Sequence, residues 1–240
     1  GADRDVLRGQ PATPMRWLLR RLDRFWFAAA PASRLALLRI LTGAFALWSV
    51  RSRYSALVGV AGTDPSLFQP VGVIAFVRSP VSPQTFEILL TVTLILNLAF
   101  LLGWKHRFVG PAFAGLLLWV FSYGYSWSFI SLTQNVLVLH VLILGFTPSA
   151  DALSVDSLLR RNPMNRPAVG WEYGWPIRLM CGVAVATYWL AGMAKVTGPA
   201  GFSWASGEVV RSQVALRVLR DEMTGGAASP FAFALSDQVW

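Results

Sequence analysis

The side chains able to carry acid–base or nucleophilic chemistry are few: two lysines, Lys105 and Lys195, two histidines, His106 and His140, and one cysteine, Cys181. A lone cysteine forms no intrachain disulfide, Cys-x-x-Cys redox pair or thiolate zinc cage. The histidines stand on different segments without a His-Glu-x-x-His motif or carboxylate cluster, so no metal site is expected. Lys195 ends the stretch Tyr188-Trp189-Leu190-Ala191-Gly192-Met193-Ala194-Lys195. On a helix its own face comprises Ala184, Thr187, Tyr188, Ala191 and Gly192, a small and mildly polar surface that leaves room beside the amine. An amine desolvated in such a pocket favours its neutral form and can act as a base, whereas a lysine at a helix end can equally snorkel to the interface. His140, between Leu139 and Val141, suits an interhelical hydrogen bond or a catalytic role. His106, between Lys105 and Arg107, reads as part of a solvated basic turn. Arg39 interrupts an apolar run, where a charge either snorkels out or enters an internal ion pair.

The elements that must position these residues are set by composition. Of 240 residues 55% are hydrophobic and 14% charged, against about 25% charged in ordinary globular chains. So few charges would leave large apolar patches on a soluble sphere, and the same figures exclude disorder. Crossing a bilayer core of about 30 Å takes roughly 20 mostly apolar residues. Five runs come close: 35–50, 86–104, 108–128, 135–146 and 177–195. The fourth is short, and the uncharged residues 126–134 before it can lengthen it. Prolines at 65, 70, 80 and 83 punctuate the first long loop, and those at 148, 163, 167 and 176 the fourth. The expected fold is an all-α polytopic transmembrane bundle of about five membrane helices. A basic segment, 1–34, precedes the bundle, 35–240, and the apolar run 231–235 reads as the start of a further helix whose remainder is missing.

Charge placement gives an address to the net +9. With the N-terminus cytoplasmic, Lys and Arg number seven, two and three in the inside segments 1–34, 105–107 and 147–176, and three, none and three in the outside ones. This bias implies a cell-membrane protein with its N-terminus inside and Lys195 at the extracytoplasmic end of its helix. Residues 15–27 mix four arginines with Trp, Leu and Phe, as in a helix lying among headgroups of anionic lipid or docking a partner. Residues 209–223 have similar amphipathic spacing. The partners implied are membrane lipid and other membrane proteins, and nucleic acid drops out.

Three motifs carry a family resemblance. Tyr188 to Lys195, followed by Trp204 and Gly207, resembles the Tyr-x-x-Ala-Gly-x-x-Lys signature of the vitamin K-dependent gamma-carboxylase-like family, also called the horizontally transferred transmembrane (HTTM) domain. Leu38-Arg39-Ile40-Leu41-Thr42-Gly43 resembles its first-helix Leu-Arg-Ile-x-x-Gly pattern, and residues 146–156 resemble its loop ending in Ser-Val/Leu-Asp. The resemblance implies a quinone-dependent lyase or oxidoreductase in which Lys195 deprotonates a reduced quinone of the menaquinone or vitamin K type. Oxygen addition then gives a base strong enough to remove a glutamate gamma proton, and carbon dioxide adds. Tyr188 would position the reactants. Gly192, Thr187, Ala191 and Arg39 would border the cofactor. The family's catalytic histidine precedes the fourth helix, where this chain reads Ser131-Leu132-Thr133-Gln134-Asn135, so that role falls to His140 only if it reaches back. The substrate-docking domains of the animal enzyme have no counterpart here. The alternative is a non-catalytic membrane subunit or assembly factor in which Lys195 anchors a helix.

Overall fold

A computed structural model describes residues 14–127, 132–159 and 168–198, together with 201–202, 207, 211–212 and 215. The described chain is mostly helical, with connecting loops and two short extended pairs. Helix α1 spans Pro14–Trp26; β1, Ala30–Pro31, leads directly into α2, Ala32–Ser52, and α3, Tyr54–Ala61, follows. Next come α4, Pro83–Leu102, α5, His106–Tyr125, α6, Leu132–Gly145, and the single-turn α7, Val155–Leu159. Finally β2, Val169–Gly170, pairs antiparallel with β1 and opens into α8, Trp171–Thr197. The chain divides into two compact units after Ala184.

Helices α2, α4, α5 and α8 are long and apolar enough to cross a bilayer, as the runs in the sequence imply. The fourth run forms the 14-residue α6, about 21 Å long at 1.5 Å per residue, and residues 128–131, part of the stretch expected to lengthen it, lie outside the described residues. Helix α3 occupies the beginning of the stretch that the prolines mark as loop, because Pro65 and Pro70 lie beyond its end. Residues 231–235 and most of 209–223 lie outside the described residues, although Arg211, Ser212 and Ala215 are helical.

Local chemistry fixes where the helices start and stop. Ser82 caps α4, its hydroxyl accepting from the Thr85 amide at 3.2 Å, with Pro83 in the first helical position. Gly103, with φ at 66°, ends the same helix in the left-handed conformation that glycine adopts without a Cβ clash.

In the first unit, α2 and α4 run antiparallel, with Arg39 beside Gly103 at one end and Tyr54 beside Glu87 at the other. Midway, Asn97 is fully buried; with its amide turned to suit both partners, it donates to the Gly43 carbonyl at 3.0 Å and accepts from the Leu47 amide at 2.8 Å. Such polar links hold helices together where the surroundings offer no water. Helices α5 and α6 cross at a pair of glycines. A Cβ on Gly110 would lie 2.5 Å from the Gly145 carbonyl oxygen, and one on Gly145 would lie 2.7 Å from that of Gly110. Small residues here let two backbones touch. At the opposite end Tyr123 stacks on Trp119 at 5.4 Å and packs against Phe86 at 4.4 Å and Phe68 at 5.6 Å, forming an aromatic plug beneath the loop after α3.

Gly110→Ala and Gly145→Ala should each lower the stability of the solubilised protein by about 1–3 kcal/mol, the usual cost of overpacking. Gly115→Ala, where an added Cβ meets nothing within 4 Å, should leave it unchanged. Thermal unfolding in detergent, followed by size-exclusion chromatography, checks both expectations.

Candidate functional site

Arg39 lies two turns into α2, fully buried. It neither snorkels nor forms a simple ion pair. One terminal nitrogen donates to the Ser149 carbonyl at 2.8 Å and the other to the Leu153 carbonyl at 2.6 Å, while Nε has no partner among the described residues. A guanidinium can do this because its planar fork presents several donors at fixed angles. Beside it, a Cβ on Gly103 would lie 2.8 Å from a terminal nitrogen of Arg39 and 2.5 Å from the Ser154 Cβ. The α4–α5 turn therefore approaches this closely only as glycine.

The loop gripped by Arg39 is itself tightly bonded. Ser154 and Ser157 exchange bonds as a cap for α7: the Ser157 amide donates to the Ser154 hydroxyl at 2.9 Å, and the Ser154 amide to the Ser157 hydroxyl at 3.1 Å. Asp156 then caps a different helix, its two carboxylate oxygens accepting from the amides of Lys105 at 2.8 Å and His106 at 2.9 Å. This places negative charge at the amino end of α5, where the helix dipole and orphan N–H groups favour it. The non-glycine residues with positive φ among those described, Lys105 at 45° and Leu153 at 49°, both belong to this junction. Strained backbone of this kind persists only where neighbouring bonds over-determine it.

His106 departs from the solvated turn expected for it. It is buried, with Nε2 3.0 Å from the Ser149 hydroxyl, which also lies 2.9 Å from the Leu144 carbonyl. Burial follows from the Asp156 cap, which pulls the residue into the first turn of α5 against Phe100, at 5.6 Å between ring centroids. Outside this junction opens a cleft of about 400 Å³, bordered by Arg107, Thr147, Pro148, Asp151 and Asp156. Asp151 receives the Tyr173 hydroxyl at 3.0 Å, which ties the same loop to the first turn of α8.

His140 makes its bond within its own helix rather than to another: Nδ1 is 2.6 Å from the Val136 carbonyl, a geometry that requires the proton on Nδ1. Arg39 and His140 thus belong to the first unit and bond to different partners. The second unit holds Thr187, Tyr188, Ala191, Gly192 and Lys195, all on the closing turns of α8. Their i, i+4 and i+3 spacing sets them along one side of the helix. Tyr188 and Lys195 are exposed, Thr187 and Ala191 are half-buried, and a Cβ on Gly192 would meet nothing within 4 Å.

Residue types alone do not announce the Ser149 and Leu153 carbonyls as the partners of Arg39, or Asp156 as the cap of α5. A signal was present, since Ser154-Val155-Asp156-Ser157 is a helix-start pattern with one more carboxylate than its own helix needs.

Removing the guanidinium strands the buried Ser149 carbonyl, at about 1–3 kcal/mol, and the part-buried Leu153 carbonyl at less. Arg39→Met should therefore lower the melting temperature and yield sharply, and Arg39→Lys, a point donor without the fork, should recover only part of the loss. Asp156→Ala, which removes both acceptors, should cost about 0.5–2 kcal/mol, as for other caps. Thermal unfolding of the three variants ranks them.

No curated protein and no solved structure matches the chain. The profile of the HTTM domain family matches residues 27–222, a span that contains both the Arg39 junction and the lysine-bearing turns of α8. Taken with its bilayer-length helices, this match makes the chain a membrane protein that belongs to the HTTM domain family.

Proposed function

We propose that this membrane protein performs base chemistry on a reduced quinone of the menaquinone or vitamin K type, with Lys195 as the base. The observation that carries the reading is the small-residue stretch between Tyr188 and Lys195, where Gly192 has no described atom within 4 Å of its Cβ position; a ring bound against it would itself desolvate the amine and favour its neutral, basic form. A flat ring can approach there, beside the amine, without displacing described protein atoms. A bound quinol supplies an acidic hydroxyl and two reducing electrons. Lys195 accepts the proton at Nζ, Tyr188 offers an aromatic face to orient the ring, and Ala191 and Gly192 keep the helix surface low between them. Thr187 contributes a hydroxyl on the same side. Arg39 serves this function through the fold, its two terminal nitrogens being bonded to loop carbonyls. Glutamate-like carbon acids are the substrate class: molecular oxygen would take the quinol's two electrons, leaving an oxidised quinone epoxide and a base that removes the γ proton as water, and carbon dioxide would add to the resulting carbanion. The distribution of Lys and Arg supports a cell-membrane orientation with the N-terminus cytoplasmic and Lys195 outside.

A second reading, a non-catalytic subunit or assembly factor of a larger membrane complex, draws on the sparse protein cover of α8, whose apolar window is only 6% buried. Purification from the native membrane and quinone analysis separate the two. Under the catalytic reading a quinone copurifies, and Lys195→Ala lowers its turnover at least a hundredfold with no change in melting temperature. Absence of quinone, together with full complementation of a deletion strain by Lys195→Ala, would establish the subunit reading instead.

A further inference from the structure

Helix α1 separates its residues cleanly. Met15, Leu18, Leu19, Leu22, Phe25 and Trp26 recur at helical spacing on one side, and Arg20, Arg21 and Arg24 lie opposite. The described residues leave the apolar side uncovered: Met15, Leu18, Leu19, Leu22 and Phe25 are between 45% and 66% exposed. The sequence of α1 has four arginines against one aspartate, so its charge is almost wholly of one sign. Arg21 lies over the Trp17 ring at 4.3 Å, close beside the apolar face.

The end of α1 is anchored. The Ala28 carbonyl accepts from Arg178 at 3.0 Å, and that guanidinium lies over the Phe25 ring at 5.8 Å. Gly174 approaches the same carbonyl so closely that no Cβ fits. Phe27 packs edge-on against Trp171 at 5.9 Å, and Ala30–Pro31 pair with Val169–Gly170. Only residues 27–31 separate α1 from α2, which is long and apolar enough to cross a bilayer. An amphipathic helix tied this near the start of a bilayer-crossing helix lies at the membrane surface, and its uncovered apolar face and single-sign polar face match an acyl boundary topped by negative phosphates.

We infer that α1 docks on an anionic lipid leaflet, its apolar face entering the headgroup layer and Arg20, Arg21 and Arg24 meeting lipid phosphates. This inference is independent of the role of Lys195. The probe is an environment-sensitive NBD fluorophore on the full-length Cys181→Ser protein carrying Leu22→Cys, in nanodiscs of phosphatidylcholine with or without 30% phosphatidylglycerol. In the anionic discs the label should emit to the blue and resist dithionite, while a label introduced by Arg20→Cys stays reactive. Each arginine near an anionic surface contributes about fivefold to binding. Arg20→Gln, Arg21→Gln and Arg24→Gln combined should therefore shift the docked-to-undocked ratio about a hundredfold, and high salt should act in the same direction. Hydrogen exchange at residues 15–26 of the unlabelled protein should show slower exchange in anionic discs. Equal docking in pure phosphatidylcholine would overturn the anionic preference. Protection persisting in detergent without lipid would assign the face to a protein surface, and a Leu22 label that stays exposed in anionic discs would refute docking altogether.

Discussion

A charge enclosed among apolar helices must be satisfied by its surroundings, and Arg39 imposes that demand on every element near it. Its terminal nitrogens reach two carbonyls of the loop after α6, so that loop cannot leave the helix bundle without stranding a cation. Gly103 must be glycine for the loop and the guanidinium to meet. Asp156 supplies opposite charge on the same loop and uses both its oxygens to begin α5. One side chain thereby determines how α2, the α4–α5 turn, the start of α5 and the α6–α7 loop share a corner. Charge burial of this kind gives little net stability, but removing one side of it is costly because the groups it met are left unpaired.

The remaining bundle contacts are of the sort that suit a medium without water. Between lipid tails apolar side chains gain nothing by choosing protein over lipid, so close backbone approach and polar links must decide which helices pair. Gly110 against Gly145 and Asn97 against Gly43 and Leu47 perform those two tasks for neighbouring pairs. The lysine-bearing turns of α8 follow another logic: Tyr188, Trp189, Leu190 and Lys195 are all exposed, while Thr187 and Ala191 are half-buried. A rigid corner and an open helix are thus properties of different stretches of one chain.

Much of this was legible in the residues. Apolar runs located α2, α4, α5, α6 and α8 because bilayer thickness enforces a length that chance rarely produces. The alternation of Leu with Arg in residues 15–26 gave α1 its two faces. What composition could not convey was pairing at a distance. Arg39 and Ser149 are 110 positions apart, and nothing local to either announces the other. His106 was misleading for the same reason, because its basic neighbours suggest solvent while the cap that buries it comes from Asp156. The motif containing Arg39 and the motif ending in Asp156 each look slight in isolation, and they are two halves of one junction.

The long separation within that junction has a consequence for how the protein is made. Synthesis runs from the amino end, so α2 emerges with its arginine well before the carbonyls that will receive it exist. The same holds for α5, whose first amides wait about fifty residues for Asp156. Completion of the corner therefore needs both ends of a long span of chain, because the carbonyls that receive the arginine exist only once Ser149 and Leu153 have been added.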